Sequence, residues 1–403
     1  MSQDRVRSLD ALRGLTILVM IFVNDLAGVA GAPPWMKHFS PHLGDGMTFV
    51  DVVFPAFLFI VGMSIPFSIG RRLERGEPRL SVWRHVLTRT FGLLAIGVLI
   101  VNADTMPEGG VLSPALWGLL MYLGVFLVWG AAPRAWQRRR VVALRAAGIA
   151  LLVALAVLYP GEGTIGLRPQ WWGILGLIGW AYLVAGTVYM AFRKNLAAVI
   201  GTIPLLYCIY VAHAVGFFSG WWVARFVEVG PMLGSHAAIV VSGVALGMAL
   251  APGSRVRGHG GRLRWAILYA LVLAASAHLL HAAHDVHRMF IVNKILATPP
   301  WCLWSSAITV AVWAGLYGLM DVRRHDRWAA FLEPAGQNPL TAYVLAPIFD
   351  YVFVLVAGAA HVPNLYEELG VRFSTGLARS AFFALFVVWL TGRLRRRGVQ
   401  LGL

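Results

Sequence analysis

The stretch PPWMKHFSPHLGDGMTFVDVVFP, from Pro33 to Pro55, gathers Lys37, His38, His42, Asp45 and Asp51 just ahead of a long apolar run. An imidazole close to a carboxylate can accept a proton and return it, so this passage holds the residue types of general acid–base chemistry. Taken alone, His38 also reads as an interfacial histidine. Asp51 has a second reading as well: Thr48 caps a helix and Asp51 completes a capping-box-like start, a duty compatible with the first. Upstream, SLDALRGLTILVMIFVND carries Asp10 and Arg13, which can pair on one helix face, and Asn24, about four turns beyond Asp10 on nearly the same face.

Two later segments carry further polar groups. NKILATPPWCLW, from Asn293 to Trp304, offers Asn293 and Lys294, with Pro299 and Pro300 expected to stop regular helix. PAGQNPLTAYVL sets Gln337 and Asn338 at the entry to another apolar run. In HLLHAAHDVHR the histidines 278, 281, 284 and 287 recur at intervals of three. That spacing drifts about 60° round a helix per step, so at most two neighbours share a face. Neither this series nor the pair His38 and His42 completes a ligand set, and no metal is expected.

The elements that must position these groups are membrane helices. Of 403 residues, 59% are hydrophobic and 13% charged, a composition that excludes an ordinary soluble surface. Apolar stretches long enough to span a bilayer recur throughout. They are placed at 8–29, 48–70, 83–103, 112–132, 141–159, 171–192, 196–221, 235–251, 264–284, 302–320, 338–359 and 374–393. The expected fold is an all-α, polytopic integral membrane protein of about 12 (11–12) transmembrane helices, read as one domain over 1–403.

The formal net charge of +16 would suggest a nucleic-acid partner in a soluble chain. Here its distribution gives a different reading, and no nucleic acid is expected. Arginines collect in alternate loops, at Arg5 and Arg7, at Arg71, Arg72, Arg75 and Arg79, at Arg134 and Arg138 to Arg140, and on to Arg393 through Arg397. By the positive-inside rule both termini lie in the cytoplasm and the loop from Pro33 to Met47 faces outward. An ionisable group within the bilayer costs on the order of 2.5–3.5 kcal/mol on insertion scales, so each one needs a partner or a function. Cys208 and Cys302 lie in apolar segments without ligand spacing and read as small buried hydrophobes.

The blocks RSLDALRGLTILVMIFVND, KHFSPHLGDGMTFVDVVFPAFLFIVGMSIP, ATPPWCLWSSA and GQNPLTAYVL together resemble the heparan-α-glucosaminide N-acetyltransferase family, in its bacterial branch usually labelled a domain of unknown function. The resemblance implies a transmembrane acetyltransferase that takes acetyl from cytoplasmic acetyl-CoA and passes it to an amino sugar on the other side. The family's active histidine matches His38, its asparagine at the end of the first helix matches Asn24, and the aspartate opening the second matches Asp51. The loop between histidine and aspartate is longer here than in the family, and it contains His42, which stays an alternative.

Coenzyme A is large and polyanionic, so its phosphates are expected among cytoplasmic basic groups such as Arg13, Arg71 and Arg72, with Asn338 at the same face. His38 can serve as general base in a ternary complex or attack the thioester itself. Either route develops negative charge on the acetyl oxygen, for which Asn24, Asn293, Lys294 or His42 are candidate partners. The expected acceptor is an amino sugar or sugar hydroxyl of an envelope glycan, and the expected location is the inner (plasma) membrane, multi-pass. The sequence leaves a homodimer open. Three other readings use the same groups or fewer: a transporter or flippase of an envelope glycan or lipid precursor, a membrane O-acyltransferase, and a purely structural membrane protein.

Overall fold

The computed structural model describes residues 6–133, 136–161 and 166–403. Arg5 and Arg134 of the charge pattern lie outside them. Helices account for the described architecture, with no strand beyond an isolated bridge between Gly130 and Leu401. In chain order the long ones are α1 (Arg7–Leu26), α2 (Val50–Glu74), α3 (Arg79–Asp104), α4 (Pro114–Trp129), α5 (Arg138–Val157), α6 (Ile174–Phe192) and α7 (Leu196–Ala214). They continue with α8 (Val229–Leu250), α9 (Gly258–His281), α10 (Pro299–Val322), α11 (Glu333–Gln337, short), α12 (Pro339–Ala360), α13 (Leu365–Glu368, short) and α14 (Phe373–Arg396).

Among the described residues, 10 helices are long and apolar enough to cross a membrane. The two expected spans outside that set are α1, which carries Asp10, Arg13 and Asp25, and α4, which has only 16 residues. Most helix bounds fall within a few residues of those expected, and two differences have local causes. Pro299 and Pro300 start α10 instead of stopping a helix, because proline at the first helical positions loses no backbone bond that would otherwise form. The span expected at 196–221 ends at Ala214, where the chain turns through Gly216 at a φ of 83°. Cys302 is buried as expected, but Cys208 is exposed on α7.

The chain divides into two compact units. One comprises Met1–Thr16, Pro33–Phe91 and Leu177–Ala330; the other comprises Ile17–Ala32, Gly92–Gly176 and Phe331–Leu403. In the first unit α8 is the central element, with 94% of its apolar window buried. Its small residues explain how: Gly243 and Gly247 lie directly against the backbone of Phe59 and Met63 on α2, and Gly62 of α2 faces the Val240 carbonyl. Small residues four apart let two helix backbones meet, which in lipid is a main source of packing energy. A Gly243→Leu variant is expected to force these helices apart at a cost of about 1–3 kcal/mol or more. A clear fall in the thermal midpoint of detergent-purified protein would show it, and an unchanged midpoint would contradict the close contact.

Two further features of this unit anchor its ends. The Asp321 carboxylate accepts from the backbone N–H groups of Arg7 (3.3 Å) and Ser8 (3.1 Å), capping the start of α1, and Arg7 pairs with Asp326. Arg13 is held by Asp10 at 3.3 Å and donates to the Ser64 hydroxyl at 2.6 Å, so α1 is tied to α2. In the second unit α4 packs on α5 and α12, and α14 packs on α11 and α12.

Candidate active site

The segment before α2 is organised around one carboxylate. Asp51 is 2% exposed, and its position in the first turn of α2 points it back at the chain that precedes the helix. One of its oxygens, Oδ2, accepts from the backbone N–H groups of Thr48 and Phe39, both at 3.0 Å. The other, Oδ1, lies 2.7 Å from Nδ1 of His38. Thr48 completes the start of the helix: its hydroxyl donates to the Lys37 carbonyl at 2.7 Å and accepts from the Val50 N–H at 3.2 Å. Phe49, not Thr48 as expected, stands at the N-cap and makes no side-chain cap bond, while Asp51 binds both the backbone ahead of the helix and the histidine.

The carboxylate accepts hydrogen bonds only, so His38 donates through Nδ1 and presents its Nε2 lone pair. The Nζ of Lys294 stands 3.2 Å from both Nδ1 and Nε2, so it lies beside the ring and is not aimed at Nε2 alone, and it is 3.9 Å from Asp51 Oδ1. Burial pulls the Lys294 ammonium below the usual lysine range, with the Asp51 charge opposing the shift. The His38 side chain is 39% exposed and therefore reachable, whereas its carboxylate partner is shielded.

Two clasps hold this histidine segment to the segment between α9 and α10. Asn293, 1% exposed, donates through Nδ2 to the carbonyls of His42 (2.9 Å) and Gly44 (2.8 Å), while its Oδ1 accepts from the Leu296 N–H at 2.9 Å. Both amide protons are engaged in that way, and none is left in this conformation for an acetyl oxygen. Asn293→Ala would leave two carbonyls without donors, a loss of about 1–3 kcal/mol. The expected outcome is a lower thermal midpoint and faster proteolysis within residues 37–47, and unchanged proteolysis would contradict the clasp.

Asp45 forms the other clasp, with 2.7 Å to His281 Nε2 and 2.8 Å from the Val292 N–H. Burial opposes ionisation of Asp45, yet His281 and the Val292 N–H hold its carboxyl below the usual range. Gly46 adds a backbone bond to the Val292 carbonyl at 2.8 Å, and a Cβ there would overlap the Phe39 ring. Of the histidine series only His281 reaches this segment; His284 stacks against it with ring centroids 5.1 Å apart.

The remaining candidates are dispersed. His42 is exposed and contributes its carbonyl, with no bond from its ring among the described residues. Arg72 pairs with Glu77 at 3.1 Å, and Arg71 is exposed. Asn24 and Asn338 belong to the second unit. Asn24 lines a cavity there, and Asn338, 7% exposed, sits between α11 and α12 with its Nδ2 lacking a partner among the described residues. Among the described residues no group of three or more His, Cys, Asp or Glu side chains could hold a metal ion.

Sequence reasoning did not single out Asp45 with His281 as a pair, nor Asp25, which is held by Arg379 at 3.1 Å, by the Tyr366 hydroxyl at 2.6 Å and by Ser380. The signal for Asp25 was the one used for its neighbours: an ionisable group in an apolar helix.

The chain is similar to heparan-alpha-glucosaminide N-acetyltransferase of Mus musculus, 38% identical over 131 residues, which is 31% of this chain and 18% of the relative. The same enzyme of Homo sapiens is 37% identical over 128 residues, 30% of this chain and 18% of the relative. The matched part is thus under a fifth of the length of either relative. The family described as Domain of unknown function (DUF5009) matches residues 5–218, more than half of the sequence and inclusive of Asn24, His38 and Asp51, and the chain belongs to that family.

Proposed function

We propose that this protein is a transmembrane acetyltransferase, working as one domain over the whole chain. It moves acetyl from cytoplasmic acetyl-CoA to an amino sugar or sugar hydroxyl on the outer side of the inner (plasma) membrane. The observation that carries the reading is the 2.7 Å contact of His38 Nδ1 with the buried Asp51 carboxylate, which leaves Nε2 as the reactive nitrogen. Similarity to the two N-acetyltransferases supports acetyl as the group moved.

In the direct route Nε2 takes a proton from the acceptor amine or hydroxyl as that atom attacks the thioester carbon. The new C–N or C–O bond forms, the C–S bond breaks, and the imidazolium returns its proton to the departing thiolate. Asp51 stabilises the imidazolium in between. Lys294, beside the His38 ring, turns to the acetyl oxygen as negative charge develops there. Basic groups at the cytoplasmic face, Arg71 and Arg72 among them, suit the phosphates of coenzyme A.

Calorimetry of acetyl-CoA with the purified protein tests the donor. Micromolar binding is expected; no heat and no competition by coenzyme A would reject the reading and favour a transporter. The lysine role has its own test. Because Lys294 loses its proton below the ordinary lysine value of about 10.4, the alkaline limb of the pH–rate profile is expected below that value. Lys294→Arg keeps a cation at every accessible pH and is expected to move that limb upward. A limb unmoved by the substitution would remove Lys294 from the chemistry.

A further inference from the structure

Between α7 and α8 the chain runs GFFSGWWVARFVE, residues 216–228, with five large aromatic side chains and two charged ones. Both flanking helices lie in the first unit, pack on each other and are long and apolar enough to cross a membrane, so the segment starts and ends at one membrane face. It is ordered by its own backbone. The N–H groups of Trp221, Ala224 and Phe226 bond the carbonyls of Phe218, Trp221 and Val223 at 3.0–3.1 Å, and Val227, at its end, is buried.

The rings are nevertheless turned outward. Phe217, Trp221, Trp222 and Phe226 are each more than half exposed, Trp222 the most at 72%. They pack within the segment, with centroids 5.1 Å apart for Phe217 and Phe218, 5.0 Å for Phe218 and Trp221, and 6.4 Å for Trp222 and Phe226. One exposed aromatic is ordinary, but a contiguous patch of them marks a surface that meets an apolar partner.

A second observation says which partner. α7 exposes Leu205, Cys208, Val211 and Val215. Steps of three and four residues keep these on one face, which in an apolar helix of this length is the face toward lipid. That stripe runs through Gly216 into Phe217 without a polar break. At the other end of α7 stand Arg193 and Lys194, which the positive-inside rule assigns to the cytoplasm, so the aromatic end belongs to the outer leaflet. Tryptophan settles at headgroup level, its ring in the apolar region and its N–H toward water or phosphate. Arg225 is exposed, has no ion-pair partner among the described residues, and suits a lipid phosphate.

We propose that residues 216–228 form a membrane anchor lying in the interfacial plane of the outer leaflet, with Phe217, Trp221, Trp222 and Phe226 set into the lipid. The inference stands without the acetyl-transfer reading. It fixes the depth of the outer ends of α7 and α8, and α8 is the helix on which α2, the carrier of Asp51, packs.

Spin labelling of the full-length Cys208→Ser protein, reconstituted in vesicles of phosphatidylcholine and phosphatidylglycerol, tests the placement. One label is carried by Trp222→Cys and a reference label by Arg255→Cys, at an exposed position of the basic loop before α9. Cys302 is fully buried and stays unlabelled. The ratio of collisions with oxygen, which partitions into lipid, to collisions with a water-soluble nickel chelate is expected to be about threefold or more higher for the Trp222→Cys label. Ser219→Cys, which replaces a small exposed side chain of the same segment, decides the matter if the Trp222 variant does not reconstitute. Equal ratios in the segment and in the reference loop would overturn the proposal, because the rings would then stand in water. A label that lipid leaves open to nickel and that oligomers of N-acetylglucosamine shield would make the patch a glycan platform and equally reject the anchor.

Discussion

His38→Ala is expected to lower acetyl transfer by about 10²–10⁴-fold while acetyl-CoA still binds, because only the proton-accepting nitrogen is removed. The side chain is 39% exposed and its contacts are with the side chains of Asp51 and Lys294, so its loss should leave the fold standing. His42→Ala is the internal comparison. Its ring makes no bond among the described residues and its carbonyl survives substitution, so activity should stay within a few-fold of the parent protein. The reverse ranking of the two variants would transfer the catalytic role to His42. In mass spectra of protein incubated with acetyl-CoA, an added acetyl group present in the parent and absent from His38→Ala would select the covalent route over the ternary one.

The second large effect is expected at Asp51, where substitution touches two duties that can be separated. Asp51→Asn keeps an oxygen for the Thr48 and Phe39 N–H groups but removes the charge that stabilises an imidazolium. It should cost on the order of 10²-fold or more in rate with little loss of stability. Asp51→Ala removes both, leaving two buried N–H groups without acceptors, and should add a destabilisation of about 1–3 kcal/mol to the rate loss. The difference in thermal midpoint between the two variants measures the helix-start role. Equal rates in Asp51→Asn and the parent would show that Asp51 shapes the loop and does no chemistry.

The helical class was legible because apolar runs of spanning length dominate the chain, and the Asp51 contact with the Thr48 N–H was legible because the two residues sit three apart, although the N-cap itself is Phe49. What escaped was every contact whose partners are distant in sequence. Asp45 meets His281 and Asn293 meets the His42 and Gly44 carbonyls across more than two hundred residues, and no periodicity encodes such a pairing. Asn293 shows the consequence: its residue type fits an oxyanion donor, but packing engages both its protons elsewhere. Pro299 and Pro300 illustrate a local ambiguity, since proline either ends a helix or begins one and only the following apolar run decides. Cys208 faces outward because a helix surrounded by lipid needs no polar face, so hydropathy alone says little about which side is buried.

The carboxylates Asp25, Asp104 and Asp350 were open to the same argument that selected Asp51. They lie on three helices of one unit, and only the folded chain brings them to a common cavity. Arg379 would have been a warning sign, being an arginine within the apolar stretch of α14 that must find a carboxylate.

Acetyl transfer across a bilayer is measured by sided transfer in sealed proteoliposomes. Labelled acetyl-CoA is supplied on one face and glucosamine is enclosed on the other, with protein oriented by protease mapping of its loops. Labelled N-acetylglucosamine is expected inside vesicles that carry the parent protein, and none above background with His38→Ala. Product formed only when donor and acceptor share one side, or formed equally by the variant, would contradict it.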